Sequence, residues 1–333
     1  AISQGNETLA ARAGRGPAGD GLGGFSAAAE AFALQASLSP VDPKIMQKLA
    51  LCRLIEAVIR GPVGDALAIY RQTAGAHGED LAKVTRTAFQ LLSGYGHREA
   101  ALKLGTARRE WAGEDPVERY LLAALAGGPI ERAPDDYLVA YFDGFAEGFD
   151  QTLVEILDYH VPEKLNALLQ ATGRRFPKVL ELGCGTGLAG PLLRKLSGTM
   201  TGIDISPRML EKAKARKLYD HLQIAEAASF LEGMQDRFDL IFGTDLLVYF
   251  GDMSGLFRHA ARALSENGLF AFNIESTDKA DFTVLPTGRF AHRISYVEEL
   301  AKQDFTLVET VPTTLRLEAN RPVAGALFVL RRR

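Results

Sequence analysis

The sequence predicts an α/β fold, a parallel sheet covered by helices, preceded by an all-helical region. From residue 178 onward, short apolar strands alternate with helical segments, a pattern typical of parallel sheets covered by helices. Between residues 44 and 126, apolar residues recur at helical spacing, and Gly and Asp-Pro dipeptides separate the segments. The two patterns meet near Gly127-Gly128-Pro129, where we expect a domain boundary.

Three parts are expected along the 333 residues. Residues 1–40 include AARAGRGPAGDGLGG, whose composition predicts a flexible segment, with a short helix possible over residues 27–38. Residues 41–130 are predicted to form a helical domain. Residues 134–333 are predicted to form the α/β domain.

The helical segments are predicted to pair as hairpins. Ala66 and Ala100 are separated by the 34-residue period of the tetratricopeptide (TPR) repeat. Ala88 provides a third small residue, and small residues are needed where paired helices approach closely. A TPR-like array is therefore expected, and an irregular helical domain remains an alternative.

Composition limits the classes of partner. The net charge of −3 and the pI of about 6.1 argue against binding to nucleic acid, which depends on clustered cationic charge. No apolar run approaches the length that a membrane-spanning helix needs. Cys52 and Cys184 lie far apart, without the spacing of a disulfide framework or a metal site. We therefore expect a cytoplasmic protein without nucleic-acid, membrane or metal partners.

A glycine-rich loop is the main chemical signal. Gly183-Cys184-Gly185-Thr186-Gly187 follows an apolar strand and precedes a helix, and glycines let the backbone turn sharply and approach a ligand. The next strand ends at Asp204, an acidic residue at the distance from which a carboxylate accepts hydrogen bonds from ribose hydroxyls. Because Gly185, Gly187 and Gly190 also satisfy the dinucleotide fingerprint, both NAD and S-adenosylmethionine (SAM) fit the loop.

Three features favour SAM over NAD. Glu181, two residues before the first glycine, suits the cationic ammonium of SAM and would repel a pyrophosphate. The following helix begins tightly against Gly187 and contains Pro191. At the C-terminus, FTLVETVPTTLRLE and AGALFVLRR are predicted to form an antiparallel hairpin, whereas a dinucleotide fold would continue in parallel units.

The ordered motifs ELGCGTG, GIDISPRML and FDLIFGTDLLVYFGD resemble those of class I SAM-dependent methyltransferases over about residues 176–276. The segments YFDGFAEGFDQTLVEILDYHVP and RFAHRISY resemble a narrower family, the predicted methyltransferases with an N-terminal TPR region. The resemblance implies a Rossmann-like, seven-stranded class I methyltransferase sheet with a C-terminal antiparallel hairpin. It also implies SAM as the cofactor.

The resemblance also implies a set of cofactor-binding residues. Asp204 would bind the ribose, Glu226 would face the adenine amino group, and Tyr141 would contact SAM from a leading segment that folds over it. The whole set is Tyr141, Glu181, Gly183, Cys184, Gly185, Gly187, Asp204, Ile205, Met209, Glu226, Ala227, Thr244 and Leu246.

The residues expected near the methyl acceptor are fewer. SAM already carries an activated methyl group, so the protein mainly aligns the nucleophile, and a base is needed only if the acceptor must lose a proton. The candidate catalytic residues are Asp245, Tyr249, Glu275 and His292, and Arg289 with His292 could bind an anionic acceptor.

Absent motifs narrow the acceptor. After the fourth strand the chain reads Thr244-Asp245-Leu246-Leu247, without the Asn/Asp-Pro-Pro-aromatic motif of methyltransferases that act on nucleic-acid bases. No paired-glutamate loop of the arginine methyltransferase type is present. We therefore expect methyl transfer to an oxygen or nitrogen of a small molecule. The alternatives are a protein methyltransferase that recruits its substrate through the helical domain, a non-catalytic SAM-binding scaffold and an NAD-dependent enzyme.

Overall fold

The chain folds into two compact units, Ala1–Gly128 and Pro129–Arg333. The structure is a computed structural model that describes residues 21–38, 42–234, 237–318 and 321–333. Each unit has its own apolar core. Within the described ranges, no helix is both long and apolar enough to cross a membrane.

The described residues of the first unit form helices joined by short turns. Asp42 and Asp115 accept hydrogen bonds from backbone N–H groups at the starts of two helices whose first residue is a proline, which is a favoured arrangement at helix N-termini. The helices are α1 (Gly21–Leu38), α2 (Pro43–Arg60), α3 (Val63–Ala74), α4 (Leu81–Gly94), α5 (Arg98–Arg109) and α6 (Pro116–Ala126), with a 3-10 turn at Gly75–His77.

Helix α2 lies at the centre of this unit and contacts α1, α3, α4 and α5. The alanines predicted at the helix contacts, Ala66, Ala88 and Ala100, are all buried. At Gly105 an added Cβ would lie 2.5 Å from a Leu122 methyl group and 2.9 Å from the Phe89 ring. Small residues therefore set the close approach of α5 to its neighbours.

Helix α1 includes the short helix that the sequence offered over residues 27–38 and begins earlier, at Gly21, within the stretch expected to be flexible. Phe25, Ala28, Ala29 and Phe32 are buried in the core of the first unit. These four residues follow the i, i+3, i+4, i+7 spacing of an amphipathic helix, which the Gly- and Ala-rich composition obscured. The rest of the predicted segment, residues 1–20 and 39–40, lies outside the described residues.

The second unit is a mixed sheet covered by helices. Its strands are β1 (Phe176–Leu182), β2 (Ser197–Asp204), β3 (His221–Ile224), β4 (Phe238–Gly243), β5 (Leu264–Ser276), β6 (Phe282–Val284), β7 (Phe290–His292), β8 (Phe305–Glu318) and β9 (Arg321–Arg332). Its helices are α7 (Asp135–Phe145), α8 (Val161–Ala171), α9 (Gly190–Leu193), α10 (Pro207–Ala215), α11 (Ala227–Glu232), α12 (Ser254–Ala263) and α13 (Ile294–Asp304). Single turns are found at Phe149–Gln151, Thr152–Ile156 and Leu247–Tyr249.

Strands β3, β2, β1, β4 and β5 pair in that order and run parallel. Strand β9 pairs antiparallel with β5, and β8 pairs antiparallel with β9, as expected for a C-terminal hairpin that closes the sheet. The α/β class with a mixed sheet is thus confirmed. Strand β8 runs in the direction of β5, so its last residues reach the carboxyl edge of the parallel strands.

One hairpin was not predicted. Strands β6 and β7 pair antiparallel, and β7 runs parallel beside the last two residues of β5. The described sheet therefore has nine strands where seven were expected. Because β6 and β7 have three residues each, they are too short to show the alternation that marks a strand. Their effect is to bring residues 289–292 to the carboxyl edge of the sheet.

Candidate active site

The glycine loop leaves β1 at the carboxyl edge with three glycines in the left-handed region. The φ angles are +64° at Gly183, +55° at Gly185 and +81° at Gly187, which residues with a Cβ adopt at a cost. An added Cβ at Gly185 would lie 3.8 Å from the Phe149 ring, and one at Gly183 would lie 3.1 Å from a Leu246 methyl group. The loop is thus bordered by the segment before β1 and by the residues after β4.

Asp204, the last residue of β2, is buried beside this loop. Its two carboxylate oxygens accept hydrogen bonds of 2.8 Å from the backbone N–H groups of Gly185 and Ser206. Burial raises the pKa of Asp204 to about 6, although these hydrogen bonds favour its charged form. The carboxylate is therefore held in place by neutral groups.

Glu181 is also buried, and its partner is neutral as well. The Tyr219 hydroxyl donates a 2.8 Å hydrogen bond to the Glu181 carboxylate, and burial raises the pKa of Glu181 to about 8. The Tyr219 ring packs beneath the loop, where an added Cβ at Gly202 would lie 2.8 Å from the ring and one at Gly187 would lie 3.0 Å from it. These glycines therefore make room for Tyr219.

Cys184 is 4% exposed, and burial raises the pKa of its thiol well above the usual value. Its backbone N–H donates to the Ile203 carbonyl, which ties the loop to β2. The thiol is a packing group in this structure, because the thiolate form that reacts as a nucleophile is disfavoured.

The leading segment, residues 135–156, contributes aromatic side chains at the same place. Tyr141, Phe142, Phe145 and Phe149 contact one another with ring centroids 5.3–6.4 Å apart, and Phe142 contacts Tyr249 after β4 at 5.6 Å. The four side chains of the leading segment are half-buried.

Acidic side chains fix the leading segment to the glycine loop and to α10. Asp150 accepts hydrogen bonds from the Thr186 hydroxyl and from Arg216. Glu147 pairs with Lys212 at 2.8 Å. Asp143 accepts from the Ser206 hydroxyl and from the backbone N–H of Arg208.

The residues expected at the adenine lie at the starts of α10 and α11. Ile205 is half-buried, whereas Met209 is fully buried inside the unit. Glu226 caps α11 by accepting from the backbone N–H groups of Ala228 and Ser229, and it pairs with Arg132 at 2.8 Å. Burial opposes its charge, but these contacts lower the pKa of Glu226 below its usual value. Ala227, the first residue of α11, is buried.

After β4 the chain turns sharply at Asp245, which has a φ of +51°. The buried amide of Asn273 holds this turn, since its Oδ1 accepts from the Asp245 N–H at 2.8 Å and its Nδ2 donates to the Asp245 carboxylate at 2.7 Å. The neighbouring residues Thr244 and Leu246 are half-buried. Leu246 packs on Gly183, so this turn adjoins the glycine loop.

Five charged residues meet beside this turn, and we call Asp245, Glu275, Arg289, Arg316 and Glu318 the charged cluster. The Arg316 side chain is 1% exposed and donates to all three carboxylates: to Asp245 at 3.2 Å, to Glu318 at 2.8 Å and to Glu275. A buried guanidinium with three carboxylate partners is fully compensated.

Arg289 lies at the outer side of the charged cluster, with 19% of its side chain exposed. It donates to Glu318 and lies 3.7 Å from Glu275. It also hydrogen bonds to the Tyr249 hydroxyl, whose pKa burial raises above its usual range. Burial disfavours the charged form of Glu318, but Arg289 and Arg316 outweigh this effect and lower the pKa of Glu318 to about 2.

His292 is placed differently from what the sequence suggested. It belongs to β7, is fully buried, and its Nε2 lies 3.1 Å from the Gly251 carbonyl oxygen. Burial lowers the pKa of His292 to about 4, so the imidazole is neutral at pH 7. Arg289, rather than His292, is the cation at this position.

The structure thus brings Asp245, Tyr249 and Glu275 together, whereas the His292 imidazole lies against the Gly251 carbonyl instead. Sequence reasoning missed Asn273, Arg316 and Glu318. The signal for two of them was their spacing, because Arg316 and Glu318 are two apart on one strand and share a face.

The residues around the loop fit SAM as a ligand. The buried carboxylates Glu181 and Asp204 have neutral partners, so an added ammonium group or ribose hydroxyls would stabilise their charged forms. The left-handed glycines leave the backbone open to close approach. Within the described residues, no three His, Cys, Asp or Glu side chains are grouped as a metal site would require.

The mixed sheet, with a glycine loop at the carboxyl edge of its parallel strands, defines a domain of the α/β class. A family model described as a methyltransferase domain matches residues 180–270. The malonyl-[acyl-carrier protein] O-methyltransferase of Haemophilus ducreyi is 30% identical over 183 residues, which are 51% of this chain and 69% of that protein. The chain therefore belongs to the SAM-dependent methyltransferases.

Two further similarities are to a curated protein and to a solved structure. The ubiquinone biosynthesis O-methyltransferase of Pasteurella multocida is 32% identical over 125 residues, which are 33% of this chain and 52% of that protein. The solved structure of the N-methyltransferase NodS of Bradyrhizobium japonicum, with S-adenosylhomocysteine, is 21% identical in sequence and has a TM-score of 0.43. The match covers 51% of this chain and 86% of the NodS chain. The chain spans about half the length of the curated relatives it matches, for example 45%, 39% and 52% of three of them.

Proposed function

We propose that this chain transfers a methyl group from SAM to an oxygen or nitrogen of a small-molecule acceptor. The main support is the contact of Leu246 with Gly183, which joins the glycine loop to the turn that carries Asp245. A cofactor on the loop would thus lie beside the charged cluster. The names of the relatives of Haemophilus ducreyi and Pasteurella multocida describe O-methylation, which favours oxygen.

The proposed roles follow from the chain's own contacts. When bound, SAM supplies a methyl group on a positively charged sulfur, activated for displacement. Asp204 would accept from the ribose hydroxyls, Glu181 would pair with the ammonium group, and Glu226 would face the adenine. The further residues proposed to contact SAM are Tyr141, Gly183, Cys184, Gly185, Gly187, Ile205, Met209, Ala227, Thr244 and Leu246.

The leading segment would exclude water from this site. Its aromatic side chains lie over Gly185 and against Tyr249, and Asp150 ties it to Thr186. Exclusion of water keeps the acceptor aligned and strengthens electrostatic interactions.

We also propose that the helical region, residues 41–130, is a TPR-like array, and that residues 134–333 act as the methyltransferase domain. The burial of Ala66, Ala88 and Ala100 supports the array, because TPR hairpins need small residues at helix contacts. Such an array would suit a protein partner, so a protein methyltransferase remains the second candidate and a SAM-binding scaffold the third. A cytoplasmic location remains a prediction, with which the free, buried thiols of Cys52 and Cys184 are compatible.

Calorimetry with S-adenosylhomocysteine and NADH in parallel tests the cofactor first. Micromolar binding of S-adenosylhomocysteine alone is expected, and binding of NADH alone would contradict the proposal. Transfer from methyl-labelled SAM into a cell extract then separates the candidates. Label in the small-molecule filtrate is expected, label in precipitated protein would favour the second candidate, and cofactor binding without transfer would favour the scaffold.

A further inference from the structure

The residues that could act as a general base at this site are already engaged. Asp245 has one carboxylate oxygen on the Asn273 amide and the other on Arg316. Asn273 also accepts from the Asp245 backbone N–H, so the side chain is held against its own turn. Proton transfer to Asp245 would therefore break a charge-assisted contact of a guanidinium that water does not reach.

The Glu275 carboxylate is engaged in the same way as that of Asp245. Its side chain is 5% exposed, it accepts from Arg316, and Arg289 lies 3.7 Å away. A proton on Glu275 would weaken its charge-assisted hydrogen bond to the buried guanidinium of Arg316. Glu318 is likewise paired with both arginines.

The other two candidates are unsuited for different reasons. The His292 imidazole is fully buried in β7, and its Nε2 is within hydrogen-bond distance of the Gly251 carbonyl. Tyr249 is 6% exposed, and its hydroxyl accepts a hydrogen bond from Arg289. Because burial raises the pKa of this hydroxyl, it stays protonated. A site of this kind suits an acceptor that arrives already ionised.

Arg289 is the group that suits such an acceptor. It is 19% exposed where Arg316 is 1% exposed, and Glu318 and Glu275 hold it from the cluster side. A guanidinium has five donors in a planar fork that matches a carboxylate. The hydroxyl of Tyr249 is bonded to Arg289, and Tyr141 is close enough to interact electrostatically with it.

The charges of the two reactants agree with this. The methyl donor would bring a positive charge on its sulfur, and an acceptor carboxylate would bring a negative charge beside it. Methyl transfer would then remove both charges. A buried, water-poor site favours a reaction in which opposite charges neutralise each other.

We propose that the acceptor is a carboxylate, bound by Arg289 with the hydroxyls of Tyr249 and Tyr141, and that the product is a methyl ester. This rests on the proposed function. An oxygen of the acceptor carboxylate forms the bond to the methyl carbon as the carbon–sulfur bond breaks. The electron pair of that bond stays on sulfur, which becomes a neutral thioether, and no proton is transferred. The assignment separates carboxylate acceptors from phenols, alcohols and primary amines, which all lose a proton.

Two matched acceptor series test the chemistry. Octanoate, octanol and octylamine share one tail, and benzoate, phenol and benzylamine share another. With methyl-labelled SAM we expect transfer to octanoate or benzoate, and a product that releases labelled methanol in alkali, as esters do and ethers or methylamines do not. We also expect kcat to stay within about 2-fold between roughly pH 6 and 9, because no base has to be deprotonated.

Variants of Arg289 test the binding role. Arg289→Gln should raise the KM for the carboxylate by about 100-fold, and Arg289→Lys by about 10-fold, since the charge remains and the planar fork is lost. Calorimetry measures the binding of octanoate to the protein loaded with S-adenosylhomocysteine. This affinity should fall in the same order as the KM rises. Arg289→Lys also keeps a cation beside Glu318, which guards against simple unfolding. Arg293→Gln is the control, because Arg293 pairs with Asp281 at the surface.

The outcomes separate this proposal from the proposed function. No binding of S-adenosylhomocysteine means that the proposed function itself fails. Cofactor binding with transfer to phenol, octanol or an amine, or a rate that rises steeply with pH, would overturn the carboxylate assignment and leave the methyltransferase assignment standing. Cofactor binding with neither transfer to a carboxylate nor binding of one would also overturn it, as would unchanged carboxylate binding in Arg289→Gln.

Discussion

The two sides of the candidate active site treat buried carboxylates in opposite ways. Beside the glycine loop, Glu181 and Asp204 have neutral partners, and burial raises their pKa values to about 8 and 6. In the charged cluster, two guanidinium groups lower the pKa of Glu318 to about 2. The loop side is therefore incomplete until a ligand brings charge and hydrogen-bond donors, whereas the charged cluster is compensated by the protein itself.

Removing the compensation of the charged cluster should have the largest effect. Arg316→Met leaves three carboxylates without their shared guanidinium, and breaking a buried ion pair costs about 3–5 kcal/mol of unfolding free energy. Urea unfolding at pH 7 measures it. Arg331→Met, an exposed arginine on the same hairpin, should change the free energy by less than about 0.5 kcal/mol. Equal values for the two variants would mean that the cluster is not compensated through Arg316.

The buried Glu181 on the loop side should make the stability of the ligand-free protein depend on pH. Because the pKa of Glu181 is raised to about 8 in the folded protein, its contribution to stability is full below its ordinary pKa and is lost as the pH rises through about 8. Between pH 5 and 8.5, the unfolding free energy of the ligand-free protein should fall, relative to Glu181→Gln, by on the order of 3 kcal/mol. Urea unfolding across this range is the measurement.

A control for this effect is Glu163→Gln, since Glu163 has 56% of its side chain exposed. Its unfolding free energy should run parallel to that of the wild type at every pH. If the unfolding free energy of Glu181→Gln also runs parallel to that of the wild type, the Glu181 carboxylate is already charged in the ligand-free protein. The contrast between the two sides of the site then disappears.

Asp204 tests whether the loop side is the cofactor site. Asp204→Ala removes the acceptor for Gly185 and Ser206 and the proposed acceptor for the ribose. We expect binding of S-adenosylhomocysteine to weaken by roughly 2–3 kcal/mol, the range for hydrogen bonds to a charged group. Asp239→Ala is the matched control, because Asp239 accepts from the Lys178 N–H at the other end of β1. Unchanged affinity in Asp204→Ala would refute the ribose assignment.

The smallest expected effect concerns the leading segment. Asp150→Ala removes its link to Thr186 and Arg216, so the segment should open more often, and S-adenosylhomocysteine should dissociate about 3- to 10-fold faster. Glu147→Gln removes only an exposed pair with Lys212 and should change the rate by less than about 2-fold. Stopped-flow dissociation measures both, and equal rates would separate the leading segment from cofactor release.

The same contrast explains what the sequence could predict. The loop side lies within residues 181–227, where local rules for strand ends, glycines and helix starts apply. Asp204 and Gly185 were both singled out, and the structure joins them by a hydrogen bond. Their role in cofactor binding stays a prediction until it is measured.

The charged cluster joins residues that are distant in sequence. Arg316 reaches Asp245 across 71 positions, and no local pattern states that a strand residue between two leucines will be buried against three acids. The hairpin of β6 and β7 was not predicted because its strands are short, and the burial of His292 in β7 was consequently not expected. Most of helix α1 was given as a possible short helix over residues 27–38, whereas its start at Gly21 was not, because the Gly- and Ala-rich composition there predicts a flexible segment.

Tyr219 has a consequence for sequence variation. Its ring fills the space that side chains at Gly187 and Gly202 would need, and its hydroxyl also lies 3.1 Å from an added Cβ at Gly190. An alanine at position 202 would also lie 3.0 Å from the Cys184 sulfur. The side chains at positions 202 and 219 therefore compete for the same space, and substitutions at these two positions should occur together. A related chain with a larger residue at 202 should carry a smaller one at 219, and its Glu181 would need another hydrogen-bond donor.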